Sequence, residues 1–229
     1  MNNPRDLLEK ALRLQESNKP IEALNIENQA LLEFAQASDT AGFAEVTVLR
    51  SKTLKHLYQQ SDNKNYLILA RAEAQGSVEI AENSSDKYAS AIPYFVLAQL
   101  HEALEEYPPA KIAYQKSLEY LPHAPQPKHN RKSVKADIEG HLAFCEFKSG
   151  EKDGLQKALS ALIALEASDD ADSYEYNVWL TGAHMRIASI YHQLNNPQQA
   201  QTHVDKTREI IKSDERLILR KSQLEKMTN

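Results

Sequence analysis

Apolar residues along this chain recur at intervals of three and four, with no sustained alternation of the kind a strand requires. Ala110, Tyr114, Ser117 and Leu121 follow one another at spacings of four, three and four, and Ala200, Val204, Thr207 and Ile211 repeat the pattern. Each set marks one face of a helix. Upstream of both runs lies a second stripe, Tyr94, Leu97, Ala98 and His101 in one place and His184, Ile187, Ala188 and Tyr191 in the other. A small residue beside a large one lets two helices approach closely. With glycine scarce and helix formers abundant, the pattern predicts an all-α protein.

Turn chemistry divides the pattern into hairpins. Asn18-Lys19-Pro20 and Asn195-Asn196-Pro197 match in register, and a proline at the first helical position loses no hydrogen bond, so Pro20 and Pro197 are expected to open helices. Pro108-Pro109 does the same for another hairpin, and the segment from Ser149 to Gly154 supplies a glycine-based turn. A further unit, roughly residues 41 to 83, has the least secure register, with Leu57-Tyr58 standing where a large-small pair is expected. Taking Ala23, Ala70, Ala110, Leu155 and Ala200 as equivalent gives spacings of 47, 40, 45 and 45. Polar breaks at 38–41 and 83–86 separate units, and Asp172 to Glu175 resembles a capping box before a long helix. The three prolines between Leu121 and Ser133 predict an extended, non-helical path. Residues 213 to 227 read as a polar C-terminal cap, and residues 1–229 as a single repeat domain.

Together these residues resemble the tetratricopeptide repeat (TPR) family, whose units place a bulky residue, a leucine-small pair, an aromatic and alanines before a closing proline. Tyr94, Leu97-Ala98, Ala110, Tyr114 and Pro122 carry the resemblance best. Ile187-Ala188, Tyr191 and Ala200, then Leu142-Ala143 with Gly150, then Ala11, Ala23 and Ala30 extend it over most of the chain. The lengthened repeats are similar to those of kinesin light chains or of bacterial peptide-sensing regulators. The resemblance implies a right-handed superhelical solenoid of about five antiparallel helix-turn-helix units plus a C-terminal capping helix. It also implies a peptide-binding groove lined by the first helix of each unit. Counted from each unit's small residue, the groove positions are Phe95, Gln99 and Glu102, then His141, Phe144 and Lys148, then Met185, Arg186, Ser189 and His192, with Phe147 at the edge. Packing in the core is the equal alternative for half of them. The co-chaperone members hold a terminal carboxylate with basic and amide residues, but Leu8 and Leu12 stand at two of those places and Arg186 alone is clamp-like.

Composition narrows the function classes. Of 229 residues 41% are hydrophobic and 26% charged, which is the balance of a folded globular chain. A formal net charge of -5 argues against a general nucleic-acid coat. No stretch approaches the roughly 18 apolar residues of a membrane span, and a single cysteine, Cys145, forbids an internal disulfide, so a reducing cytoplasm is expected. Neither a phosphate loop nor a nucleophile motif occurs, and the histidines lack metal-ligand spacing, so no catalysis, metal or cofactor is expected. Asp169, Asp170 and Asp172 read as helix caps rather than a calcium loop, which would need a glycine and a distal glutamate. Lys128, His129, Arg131, Lys132 and Lys135 form a basic run that either attracts an acidic partner or is merely solvated. The reading that results is a scaffold or adaptor binding a peptide or helix of a protein partner. A peptide-gated regulator and a self-associating homo-oligomer are the alternatives.

Overall fold

The computed structural model describes residues 3–84 and 86–228, so Ser85 of the 83–86 break lies outside it. The chain divides into two compact units, Met1–Pro125 and Gln126–Asn229. Among the described residues both are built from helices alone.

The first unit holds three hairpins: α1 (Pro4–Glu16) with α2 (Pro20–Gln36), α3 (Thr40–Ser61) with α4 (Asn65–Glu82), and α5 (Ala91–Ala103) with α6 (Tyr107–Tyr120). The second holds α7 (Lys132–Lys148) with α8 (Gly154–Glu166) and α9 (Ser173–Gln193) with α10 (Pro197–Ser213), followed by α11 (Ile218–Thr228). Five hairpins and a terminal helix are therefore present among the described residues, and the fold is an all-α helical repeat. Pro20 and Pro197 open their helices as expected, while α6 begins one residue before Pro108. The proline-rich stretch departs from expectation: it is wound into short 3-10 turns at Leu121–His123 and Pro127–His129, with Leu121 buried.

A backbone feature fixes the repeat register. Each turn inside a hairpin contains one residue of positive φ: Asn18, Asp62, Glu105, Gly150 and Asn195. Their spacings are 44, 43, 45 and 45. In four of the five, the residue that follows donates its N–H back along the chain, from Lys19 to Leu14, Glu106 to His101, Glu151 to Glu146 and Asn196 to Tyr191. That bond is the Schellman closure, which satisfies carbonyls orphaned at a helix end. Register counted from these residues corrects the second hairpin. Leu67, not Ala70, is the equivalent of Ala23, Ala110, Leu155 and Ala200, and Leu54-Lys55, not Leu57-Tyr58, is the equivalent of Leu97-Ala98. Lys55 thus stands where the other hairpins carry the buried alanines Ala11, Ala98, Ala143 and Ala188. Without its small residue, the motif was displaced by one turn in the sequence pattern.

Cores form between the paired helices and their neighbours. In the first unit, Leu7, Leu8, Ala30, Phe34, Val46 and Leu49 make one cluster, and Leu54, Leu57, Leu67, Val78, Val96 and Leu100 another. In the second unit, Ala143, Leu162, Leu165, Ala183, Ile187 and Ile190 pack together, while Ala188, Val204 and Leu224 seat α11. Cys145 is fully buried, a small core residue. Close approach at α7 and α8 depends on Gly154, because a Cβ there would fall 2.6 Å from the Phe147 backbone nitrogen.

Candidate functional site

The first helices of successive hairpins pack side by side, α1 on α3 and α3 on α5 in the first unit and α7 on α9 in the second, where the terminal helix α11 packs on α9 in turn. Seven of the ten groove candidates lie on α7 and α9. His141 and Arg186 meet directly, Arg186 Nη1 donating to His141 Nε2 at 2.7 Å, which makes that nitrogen the acceptor of its ring. Arg186 Nη2 also donates to Asp137 Oδ1 at 3.0 Å, and both side chains of this ion pair are about nine-tenths buried. One helical turn or more along α7, the Lys148 ammonium lies 5.5 Å from the half-buried Phe144 ring and donates to Gln193 Oε1 of α9 at 3.0 Å. His141, Phe144, Lys148 and Arg186 therefore form one strip along the α7–α9 seam. Ser189 is half-buried and His192 exposed on α9. Met185 turns the other way and packs against Ala188, Val204 and Leu224 under α11.

The three first-unit candidates are committed elsewhere. Phe95 is buried, with its ring 6.1 Å from that of Tyr114. Glu102 accepts a 2.6 Å hydrogen bond from the Tyr114 hydroxyl, and Gln99 accepts one from Lys55 at 3.1 Å. Both amide and carboxyl are half-buried. Phe147 is half-buried against the α7–α9 core.

Along the basic run the structure separates residues that the sequence grouped. Arg131 is a structural residue: its guanidinium sits 5.3 Å from the Trp179 ring and pairs with Glu175 at 2.8 Å. Lys135 bridges to Glu139 at 3.5 Å, His129 is half-buried, and Lys128 and Lys132 are exposed. Two of the three aspartates cap helices, and the helices differ. Asp172 accepts from the Tyr174 and Glu175 amides of α9, whereas Asp170 accepts from the Lys132 and Ser133 amides of α7 at 2.6 and 3.3 Å.

Four residues of this region escaped the sequence reading: Asp137, Gly140, Gly182 and Arg220. A Cβ at Gly140 would meet Arg186 Nη2 at 3.5 Å, and one at Gly182 would meet Arg220 Nη2 at 3.3 Å and Arg186 Nη1 at 3.4 Å. Glycine inside a helix costs about 1 kcal/mol relative to alanine. Five of the six glycines lie inside helices, Gly140 and Gly182 among them, and that cost was the available signal that something lies close against those two faces. Elsewhere, Glu146, Glu151 and Asp153 bring carboxylates within 4.8 Å of one another, and Lys157 bridges two of them, Glu146 at 2.9 Å and Asp153 at 3.0 Å. No helix among the described residues is long and apolar enough to cross a membrane.

No protein-family model matches this chain, and no curated protein matches it. Solved structures do. The crystal structure of BtubC (BKLC) from P. vanneervenii aligns over 91% of this chain and 80% of its own, with a TM-score of 0.61 and 17% identity. A putative kinesin light chain of Podosopora anserina, with nearly identical TPR-like repeats, aligns over 93% of this chain and 99% of its own, with a TM-score of 0.60 and 14% identity. A substituted form of the latter aligns over 94% of this chain and 99% of its own, with a TM-score of 0.61 and 13% identity. At such identities the likeness speaks for architecture, and this chain has the fold of a TPR-like helical repeat protein with lengthened, kinesin-light-chain-like units.

Proposed function

We propose that this protein is a non-catalytic interaction module that receives a peptide or helix of a partner protein along the α7–α9 seam. The observation that carries the reading is the strip formed by His141, Phe144, Lys148 and Arg186. An aromatic ring and cationic groups are held there by interhelical contacts, on helices whose other faces are packed into the core. Rigid aromatic and arginine side chains commonly dominate the energetics of recognition. Preformed helices also keep the ordering cost of binding low. The fold likeness to TPR-like repeats points in the same direction.

Panning a random dodecapeptide library against the protein tests the reading. Enriched peptides are expected to lose about tenfold or more in affinity on combined Phe144→Ala and Lys148→Ala substitution, the scale of losing two moderate contacts. Circular dichroism and melting of the variant serve as the folding check. Failure to enrich any peptide, or equal affinity for the variant, overturns the assignment.

A further inference from the structure

Arg220 has no explanation in hairpin packing. It comes from α11, yet its guanidinium lies over Gly182 of α9 beside that of Arg186, and the bare glycine backbone makes the space for both. The charges do not balance. Arg186 has the buried Asp137 carboxylate, 3.0 Å away, and spends another donor on His141. Arg220 donates at 2.8 Å to Gln223 Oε1, a neutral amide on its own helix, and no carboxylate among the described residues forms an ion pair with it. The Nε donor of Arg186 is buried with no acceptor. Burial, and secondarily Arg186, push the Arg220 pKa down to about 10, the direction that a crowded cation takes when water is removed. Two guanidiniums thus face one carboxylate, leaving a single positive charge and spare donors in a partly desolvated place. Planar guanidiniums with free N–H groups match oxyanions bidentately.

We propose that Arg186 and Arg220, converging over Gly182, form an oxyanion pocket that takes a carboxylate of an acidic partner peptide. The peptide rests on the function proposed above; the pocket itself does not. A carboxylate is favoured over a phosphate because one negative charge balances the excess, whereas a dianion beside Asp137 overshoots it. Arg186 is tied to α7 by Asp137, while Arg220 is supplied by α11, so the terminal helix is part of the pocket as well as a cover for the α9–α10 hairpin.

The test follows the arginine side-chain Nε–Hε resonances of the full chain while sodium acetate, inorganic phosphate or sodium chloride is added at matched ionic strength. Acetate is expected to shift the Arg186 and Arg220 signals saturably, with phosphate weaker and chloride without saturation. Arg220→Gln is expected to abolish the Arg186 response while leaving the melting temperature unchanged or higher, since the free protein then loses an unbalanced cation. Gly182→Ala, which occupies the space beneath both guanidiniums, provides a second variant that should weaken acetate binding about tenfold, the loss of one charge-assisted contact. The pocket is overturned if acetate behaves like chloride or if phosphate saturates at lower concentration than acetate. It is also overturned if Arg220→Gln lowers the melting temperature by several degrees and leaves the Arg186 response intact. Acetate binding without any enriched peptide supports the pocket and removes the peptide reading alone. Enriched peptides with no acidic preference, bound equally by Arg220→Gln, remove the pocket alone.

Discussion

Glu27 shows how a single residue departs from its repeat. Counted from the turn residues, it occupies the position filled by Tyr114 in α6 and Val204 in α10, and it is fully buried. Its carboxyl accepts hydrogen bonds from Gln15 at 3.1 Å and Thr53 at 2.6 Å, but the second oxygen has no partner. Burial therefore outweighs those hydrogen bonds and pushes the pKa up from 4.5 to about 7. The folded state binds a proton more tightly than the unfolded state, so the stability Glu27 contributes is full below pH 4.5 and is lost as pH rises through about 7. Glu27→Gln is expected to raise stability at pH 8 by on the order of 2 kcal/mol, and to flatten the pH dependence of the first unit, as read from urea midpoints. Glu105 is the second residue-scale case. It is exposed, with φ of 61°, a left-handed conformation that a Cβ disfavours. Glu105→Gly should stabilise by about 0.5 kcal/mol, the removed strain less the added freedom of the unfolded chain, and a rise in melting temperature checks it.

At the scale of elements, α7 is closed at its start by a residue outside its own hairpin. The carboxylate of Asp170, in the loop before α9, takes the two amides that open α7, and Arg131 ties that loop through the Asp170 carbonyl and the first turn of α9 through Glu175. Loss of an N-cap costs about 1 kcal/mol. Asp170→Ala is expected to lower stability by about that amount or somewhat more, while Asp169→Ala should stay within about 0.5 kcal/mol, the range for surface changes. Comparing the two urea midpoints separates a specific cap from general loop charge. The sequence identified the aspartates as caps, because short acceptors before a helix serve that role, but it named a helix only for Asp172, the long one that follows it. The contact with α7 spans 37 and 38 residues, and no local pattern carries it.

For the whole molecule, the two units carry opposite pH responses. His184 and His203 sit in the second unit with their Nδ1 atoms 2.9 Å apart, one ring donating to the other. Burial, then His203 and Lys206, push His184 down from 6.5 to about 4, and burial lowers His203 as well. Their contribution is present above pH 6.5 and declines as pH falls toward 4, the reverse of Glu27. Lowering the pH from about 7.5 to about 5 should therefore slow amide exchange in α2 and accelerate it in α9 and α10, after correction for the intrinsic rate. Parallel changes in both units would contradict this assignment of the two titrating centres.

The sequence by itself determined the helical class, the five hairpins and most turns, because those depend on short-range facts: apolar spacing, proline at helix starts, and residues tolerant of positive φ. It misplaced the second hairpin by three residues because Lys55 stands where a buried alanine usually marks the register. The resemblance to TPR units, counted from each unit's small residue, also brought His141, Phe144, Lys148 and Arg186 into one candidate list. Tertiary structure alone decided that Phe95 is buried, that Met185 turns under α11, and that Arg131 rests on Trp179. It alone set Arg220 beside Arg186 over Gly182, because burial and charge balance depend on which distant helices meet, and helical spacing holds no record of that.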